Sequence, residues 1–171
     1  MEQLITKIGF GGSCHWCTEA IFLSLRGVID VEQGWITSTG TESSYSEAVI
    51  VSFDTTKISL STLINIHLST HSCTSNHTFR SKYRSAIYTF SGDQTEPARN
   101  TIIDLQAGYP DPIITQVLPY KDFKLNQQPY LNYYYKDPEK PFCRNFIDPK
   151  LRHLLHAFSK VTDTSKLGHL L

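Results

Sequence analysis

Residues 47–53, EAVIVSF, form a short apolar run rich in β-branched side chains and closed by Asp54. That is the pattern of a strand. The next segment changes period: Leu60, Leu63, Ile64 and Leu68 fall on one helical stripe, with Ser59 or Ser61 placed to cap it. The same change occurs upstream. LITKIGF (4–10) reads as a strand that Gly11-Gly12 closes. Ile21, Phe22 and Leu25 then take helical spacing over 16–26, with Gly27 as C-cap. Strands are predicted over 28–36, 83–90 and 112–118, a loop over 37–45, and a helix over 93–106 with Pro97 in its first turn. After Pro119 the chain is rich in Tyr and Pro and reads as loops, with a closing helix over 148–160. The order β-α-β-β-α-β, a further α-β and a loop-rich tail predicts an α+β two-layer sandwich. It has a mixed sheet and a split β-α-β, ferredoxin-like core. The 171 residues hold no repeat and no linker, so one domain over 1–171 is expected.

Charge excludes some functions. Lys plus Arg and Asp plus Glu are 16 each, so no concentrated positive field marks a nucleic-acid or anionic-membrane binder. No apolar run reaches membrane-spanning length. MEQLITKIGF lacks the features of a secretory leader, so the cytoplasm is the expected location. There, Cys14, Cys17, Cys73 and Cys143 read as thiols or ligands rather than as a disulfide framework. A monomer without a bound cofactor is expected.

GGSCHWCTEA (11–20) carries the chemistry. Cys14 falls at a strand-to-helix turn, where the helix N-terminus offers free N–H groups and a partial positive charge. Both favour a thiolate, as does Cys-x-x-Cys spacing. A protonated His15 would add to the effect. Cys14 is thus a candidate nucleophile, and Cys17, one turn on, can form a disulfide with it. Two packed thiols are an alternative. A zinc set of Cys14, Cys17, His71 and Cys73 is another, although His-x-Cys is poor spacing for it. Glu47 opens an apolar strand. It is either a partly buried carboxylate near Cys14, suited to protonating an oxygen leaving group, or a strand-edge residue facing water. Trp16 and Tyr83 either line a pocket or pack in the core.

FGGSCHWCTEAIF resembles the signature of the peptide methionine sulfoxide reductase A family, a Gly-Cys-Phe-Trp-Gly core followed by Glu-Ala. LRGVIDVEQGW, SEAVIVSFDTTKISLSTLINIHLSTH, KYRSAIYTF, TQVLP, QQPYLNYYYKDPEKPFC and FIDPKL are similar to further family segments in the same order, over roughly residues 5–152. The resemblance implies reduction of the S-epimer of methionine sulfoxide, free or in proteins. It makes Cys14 the nucleophile, Glu47 the proton donor and Tyr83 a hydrogen-bond donor to the sulfoxide oxygen. Trp16 becomes the wall for the substrate methyl. A second thiol would condense with the Cys14 sulfenic acid, and thioredoxin would reduce the disulfide. Cys17 and Cys143, in PFC, are the two candidate resolving thiols.

The chain also departs from the family pattern. His15 stands where the family has Phe, in the methyl pocket, and Cys17 where it has Gly. The segment from Gly34 to Glu47 is shorter and omits a second oxygen-binding tyrosine, for which Tyr45 is the candidate substitute. An acidic-and-His run is reduced to Leu125-Asn126-Gln127-Gln128. These losses motivate an alternative: a thiol-disulfide oxidoreductase or redox sensor that uses the Cys14–Cys17 pair without a sulfoxide substrate.

Overall fold

A computed structural model describes residues 4–171; the first three residues of the segment read for a leader lie outside it. The chain runs β1 (Ile5–Gly11), α1 (His15–Leu23), β2 (Val28–Thr37), β3 (Ser46–Asp54), α2 (Leu60–Ser69) and β4 (Ala86–Thr89). It continues through α3 (Gly92–Leu105), β5 (Gln116–Pro119), β6 (Asp122–Leu125), α4 (Tyr133–Lys136) and α5 (Asp148–Ala157). A π-helical turn, Cys143–Ile147, leads into α5.

The strands form one six-stranded mixed sheet in the order β5-β4-β1-β3-β2-β6. Only β4 and β5 are parallel; every other neighbouring pair is antiparallel. The architecture is therefore α+β, as the element order predicts. β3 lies between β1 and β2 and is buried along its whole length, which explains why its sequence is so continuously apolar. Val49, Val51 and Phe53 join the main core with Phe10, Phe22, Leu63, Ile64 and Leu151, on the side of the helices. Ala48 and Ile50 join a smaller cluster with Ile36 and Tyr88 on the opposite face. This is strand alternation with both faces covered.

Ser59 is the α2 cap and accepts the Thr62 N–H at 3.1 Å. Several boundaries differ from expectation, the closing helix among them, which ends at Ala157 rather than 160. α1 stops at Leu23, and Gly27 does not cap it; with φ +90° and Lys57 and Ile58 close by, Gly27 turns the chain into β2. Pro97 sits in the second turn of α3, because that helix starts at Gly92. Only Ala86–Thr89 of the 83–90 segment is a strand, and Gln116–Pro119 replaces 112–118. The segment after Pro119 is not all loop: β6 pairs with the end of β2 at the sheet edge. Gly34 allows that pairing, since a Cβ there would come within 2.0 Å of the Lys124 carbonyl oxygen. Among the described residues, no helix is long and apolar enough to cross a membrane.

Candidate active site

β1 ends at Gly11, and Gly12 (φ +152°) turns the chain into α1. Gly12 is required twice over, since a Cβ at this position would lie 2.5 Å from the His71 ring. The turn is held from outside by Arg80, whose guanidinium donates to the carbonyls of Gly12 (2.7 Å), Tyr83 (2.9 Å), Ser72 (2.6 Å) and, through Nε, Ser75 (2.9 Å). From inside, the His67 Nε2–H donates to the Gly11 carbonyl at 2.8 Å. Cys14 is left as the N-cap of α1, its carbonyl accepting the N–H groups of Cys17 and Thr18.

All four cysteines carry free thiols. The Cys17 thiol donates to Cys14 Sγ, and this holds the Cys14 pKa below the ordinary thiol value; the backbone N–H groups of Trp16 and Cys17 assist. Burial and the carboxylate of Glu47 oppose the shift. Donating that bond, with burial added, pushes Cys17 far up, so Cys17 keeps its proton. Lys150, at the start of α5, donates to the Thr70 carbonyl at 2.6 Å. Its charge lies near enough to Cys14 and Cys17 to favour their ionised forms. His15 does not supply the cation expected of it: its ring is buried away from Cys14, and desolvation lowers its pKa.

Sheet register brings Glu47 to this place. Gly11 pairs with Ala48, so Glu47 lies one residue beyond, beside the glycine turn. Its parity with Val49 and Val51 turns it to the helical side. Glu47 is buried, not at a wet edge. Its Oε1 accepts the His15 backbone N–H at 3.3 Å and lies 3.3 Å from His15 Nε2. Oε2 lies 3.6 Å from Lys82 Nζ.

A cleft of about 630 Å3 opens beside the thiols. Gly12, Ser13, Cys14 and Cys17 form one wall, and His71, Phe79, Tyr83, Phe142, Phe146 and Lys150 form others. Tyr83 is thus brought to Cys14, with Lys82 Nζ 5.0 Å over its ring. Trp16 lies behind the cleft, stacked on Tyr133 at 4.0 Å and met edge-on by Phe142. Tyr45 is half exposed, bonded to Asp122 at 2.6 Å, and does not line the cleft. Cys143 is fully buried, with its thiol 3.6 Å from the Asp137 carbonyl.

The two nitrogens of His71 are engaged by the His67 carbonyl (2.6 Å) and Ser85 (2.8 Å). Among the described residues, no three His, Cys, Asp or Glu side chains converge on a metal position. Arg80, Lys82 and Lys150 were not singled out by sequence. Their side chains reach the turn (Arg80), Glu47 (Lys82) or the surroundings of the thiols (Lys150) from remote segments, and no local pattern marks them.

An α+β sheet protein with an activated thiol at a helix start, facing a cleft next to a buried carboxylate, has the makings of a cysteine-based redox enzyme. The sequence profile of the family described as peptide methionine sulfoxide reductase matches residues 6–162. The chain belongs to this family. A relative from Trichodesmium erythraeum, peptide methionine sulfoxide reductase MsrA, is 34% identical over 91% of this chain and 97% of its own. Among solved structures, Mxr1 from Saccharomyces cerevisiae in reduced form has a TM-score of 0.72 at 19% identity, covering 81% of this chain and 89% of its own. Mxr1 in complex with Trx2 has a TM-score of 0.62 at 18% identity, covering 76% and 89%.

Proposed function

We propose that this chain is a peptide-methionine (S)-S-oxide reductase that acts on free or protein-bound methionine sulfoxide. The observation that carries the reading is the Cys14 sulfur at the α1 start. It lines the cleft together with Cys17 and Tyr83, while Glu47 is buried on β3 beside the glycine turn that presents it. The Cys14 thiolate attacks the sulfoxide sulfur and forms a sulfur–sulfur bond to it, while Glu47 gives one proton to the oxygen. The hydroxyl then passes from the substrate sulfur to Cys14 Sγ as the S–O and S–S bonds to that sulfur break, and the products are methionine and a Cys14 sulfenic acid. The Tyr83 hydroxyl orients the oxygen. The methyl group rests on the aromatic wall of Phe142 and Phe146, backed by Trp16, which removes apolar surface from water. The Cys17 thiol then condenses with the sulfenic acid, giving a Cys14–Cys17 disulfide and water.

An external dithiol, thioredoxin in the cell, takes up the disulfide by exchange. Fold similarity to Mxr1, itself solved with Trx2, supports that partner. No bound cofactor enters this cycle. The chain is read as one domain acting as a cytoplasmic monomer. Its strand order β4-β1-β3-β2 supports a ferredoxin-like split β-α-β core.

The test is reduction of racemic methionine sulfoxide with dithiothreitol, with the two epimers resolved by chromatography. Loss of only the S-epimer, absent in Cys14→Ser, is expected. No turnover of either epimer by folded protein would overturn the reading. The thiol-disulfide oxidoreductase alternative would then take its place, with insulin-disulfide reduction as its assay.

A further inference from the structure

Once a Cys14–Cys17 disulfide has formed, a reductant can attack either sulfur, and two criteria pull in opposite directions. The thiol of lower pKa is the better leaving group, which favours departure of Cys14 from the helix start. Access favours the reverse. Cys14 is partly exposed at the cleft, whereas Cys17, one turn further along α1, is 3% exposed. An incoming thiolate therefore meets Cys14 first. Attack there makes Cys17 depart as a thiolate into a buried place, which is costly unless a positive charge receives it.

Lys150 supplies that charge. Among the described residues that line the cleft, it is the one with a permanent charge; His71, on the same cleft, is held neutral by burial. Nothing else rewards its position. Lys150 lies in the first turn of α5, where the helix dipole disfavours a cation, and no carboxylate among the described residues pairs with it. It is held instead by the C-terminal end of α2, where its Nζ donates to the carbonyl of Thr70, the C-cap, at 2.6 Å. An ammonium has three N–H donors, and this bond uses one of them. Burial works against the Lys150 charge, and the two sulfurs, Cys17 ahead of Cys14, favour it. The same charge favours an ionised Cys17. A cation kept in such a place at a cost points to a use.

We infer that the reductant attacks Cys14 Sγ, and that Lys150 is a positioning residue whose charge makes Cys17 the leaving sulfur. This rests on the Cys14–Cys17 disulfide of the reductase reading above. The first thiolate of the external dithiol bonds to Cys14 Sγ. The Cys14–Cys17 bond breaks, and its electron pair leaves with Cys17 as a thiolate beside Lys150. The second thiol of the reductant ionises, and its proton goes to Cys17. The resulting thiolate attacks the reductant's own sulfur in the mixed disulfide, and Cys14 leaves as a thiolate. Two electrons have passed to the protein, and the reductant has become a disulfide. Cys14 ends ionised and Cys17 protonated, which is the state of the pair that begins a new cycle.

The experiment uses the full chain with its disulfide formed by diamide, so the result does not depend on the sulfoxide step. A thioredoxin whose second active-site cysteine is replaced by serine is added, and the reaction is quenched with N-ethylmaleimide in denaturant. Chymotryptic cleavage after Trp16 then separates the two sulfurs for mass spectrometry. Thioredoxin on Cys14 and maleimide on Cys17 are expected, and the reverse pattern would overturn the inference without any variant. If diamide gives no Cys14–Cys17 bond, the resolver reading and this inference fall together. Lys150→Met should slow formation of the mixed disulfide roughly tenfold, and Lys150→Arg much less. Alkylation of Cys14 in reduced Lys150→Met should slow by a smaller factor, since Lys150 acts on Cys17 ahead of Cys14. Mixed-disulfide formation in Lys150→Met that is as fast as wild type, or slowed no more than alkylation, would overturn the role given to Lys150. So would an equal loss in Lys150→Arg.

Discussion

Replacing Cys17 separates two jobs that the structure gives to one thiol. Its proton is donated to Cys14 Sγ and is the largest influence lowering the Cys14 pKa. Because Cys17 itself is pushed up, this proton stays in place across the neutral range. A hydrogen bond to a charged acceptor contributes about 1.5–3 kcal/mol, which is about a tenfold to hundredfold change in thiolate population. Cys17→Ala removes the donor and Cys17→Ser retains one. Iodoacetamide alkylation of Cys14 near pH 7, followed by peptide mass spectrometry, should therefore slow about tenfold to hundredfold in Cys17→Ala and much less in Cys17→Ser. Both variants should stop at one methionine per chain when thioredoxin is the reductant, with the sulfenic acid trapped by dimedone. Equal alkylation of wild type, Ser and Ala would refute the hydrogen-bond account. Continued thioredoxin recycling in either variant would refute Cys17 as resolver and move attention to Cys143.

Glu47→Gln should cost about 10²–10⁴ in sulfoxide reduction. It should not slow Cys14 alkylation, because an uncharged amide beside Cys14 cannot oppose the thiolate as a carboxylate does. Gly34→Ala places a methyl group 2.0 Å from the Lys124 carbonyl and should break the β2–β6 pairing. A loss of about 2–3 kcal/mol, read as a Tm lowered by roughly 5–10 °C, is expected. Burial holds His71 neutral, with its pKa pushed down to about 4. This folded-state value is below the unfolded one. The stabilisation is therefore complete above about pH 6.5 and fades as pH falls toward 4. Tm should drop over that window, and in His71→Gln it should drop less steeply.

The fold was legible where one segment decides its own structure. β3 announces itself because a strand covered on both faces and both edges needs an unbroken apolar run. α2 announces itself through its stripe and the Ser59 cap. β6 was hidden because Asp122–Leu125 is short and mostly exposed, so its pairing with β2 decides what its composition does not. The thiol pair was legible for the same local reason as α2, since Cys14 and Cys17 are one turn apart at a helix start. Arg80 was not, because it stabilises Gly12 across 68 positions of sequence. Nor was the chain Glu19–Gln33–Asn126–His15, whose members come from α1, β2 and the segment after β6.

His15 shows where local reasoning goes astray. Adjacency to Cys14 in sequence suggested a cation for the thiolate, or a gap in the methyl pocket. A helix advances about 100° per residue, so neighbours diverge while i and i+3 realign. Cys14 and Cys17 thus face the cleft together, and His15 faces the sheet, where Gly34 and Glu47 meet it. A phenylalanine at this position would fill the same space with no polar atom. It would leave the Asn126 amide and Glu47 Oε1 without the ring nitrogen they face. The histidine and the Leu125–Gln128 segment that carries Asn126 therefore form one substitution in physical terms. Changing His15 to phenylalanine should be tolerated better when Asn126 is also made apolar than when it is left alone. A double-mutant cycle of His15→Phe and Asn126→Leu, read by Tm, tests this. Strict additivity of the two changes would show that the network does not act as a unit.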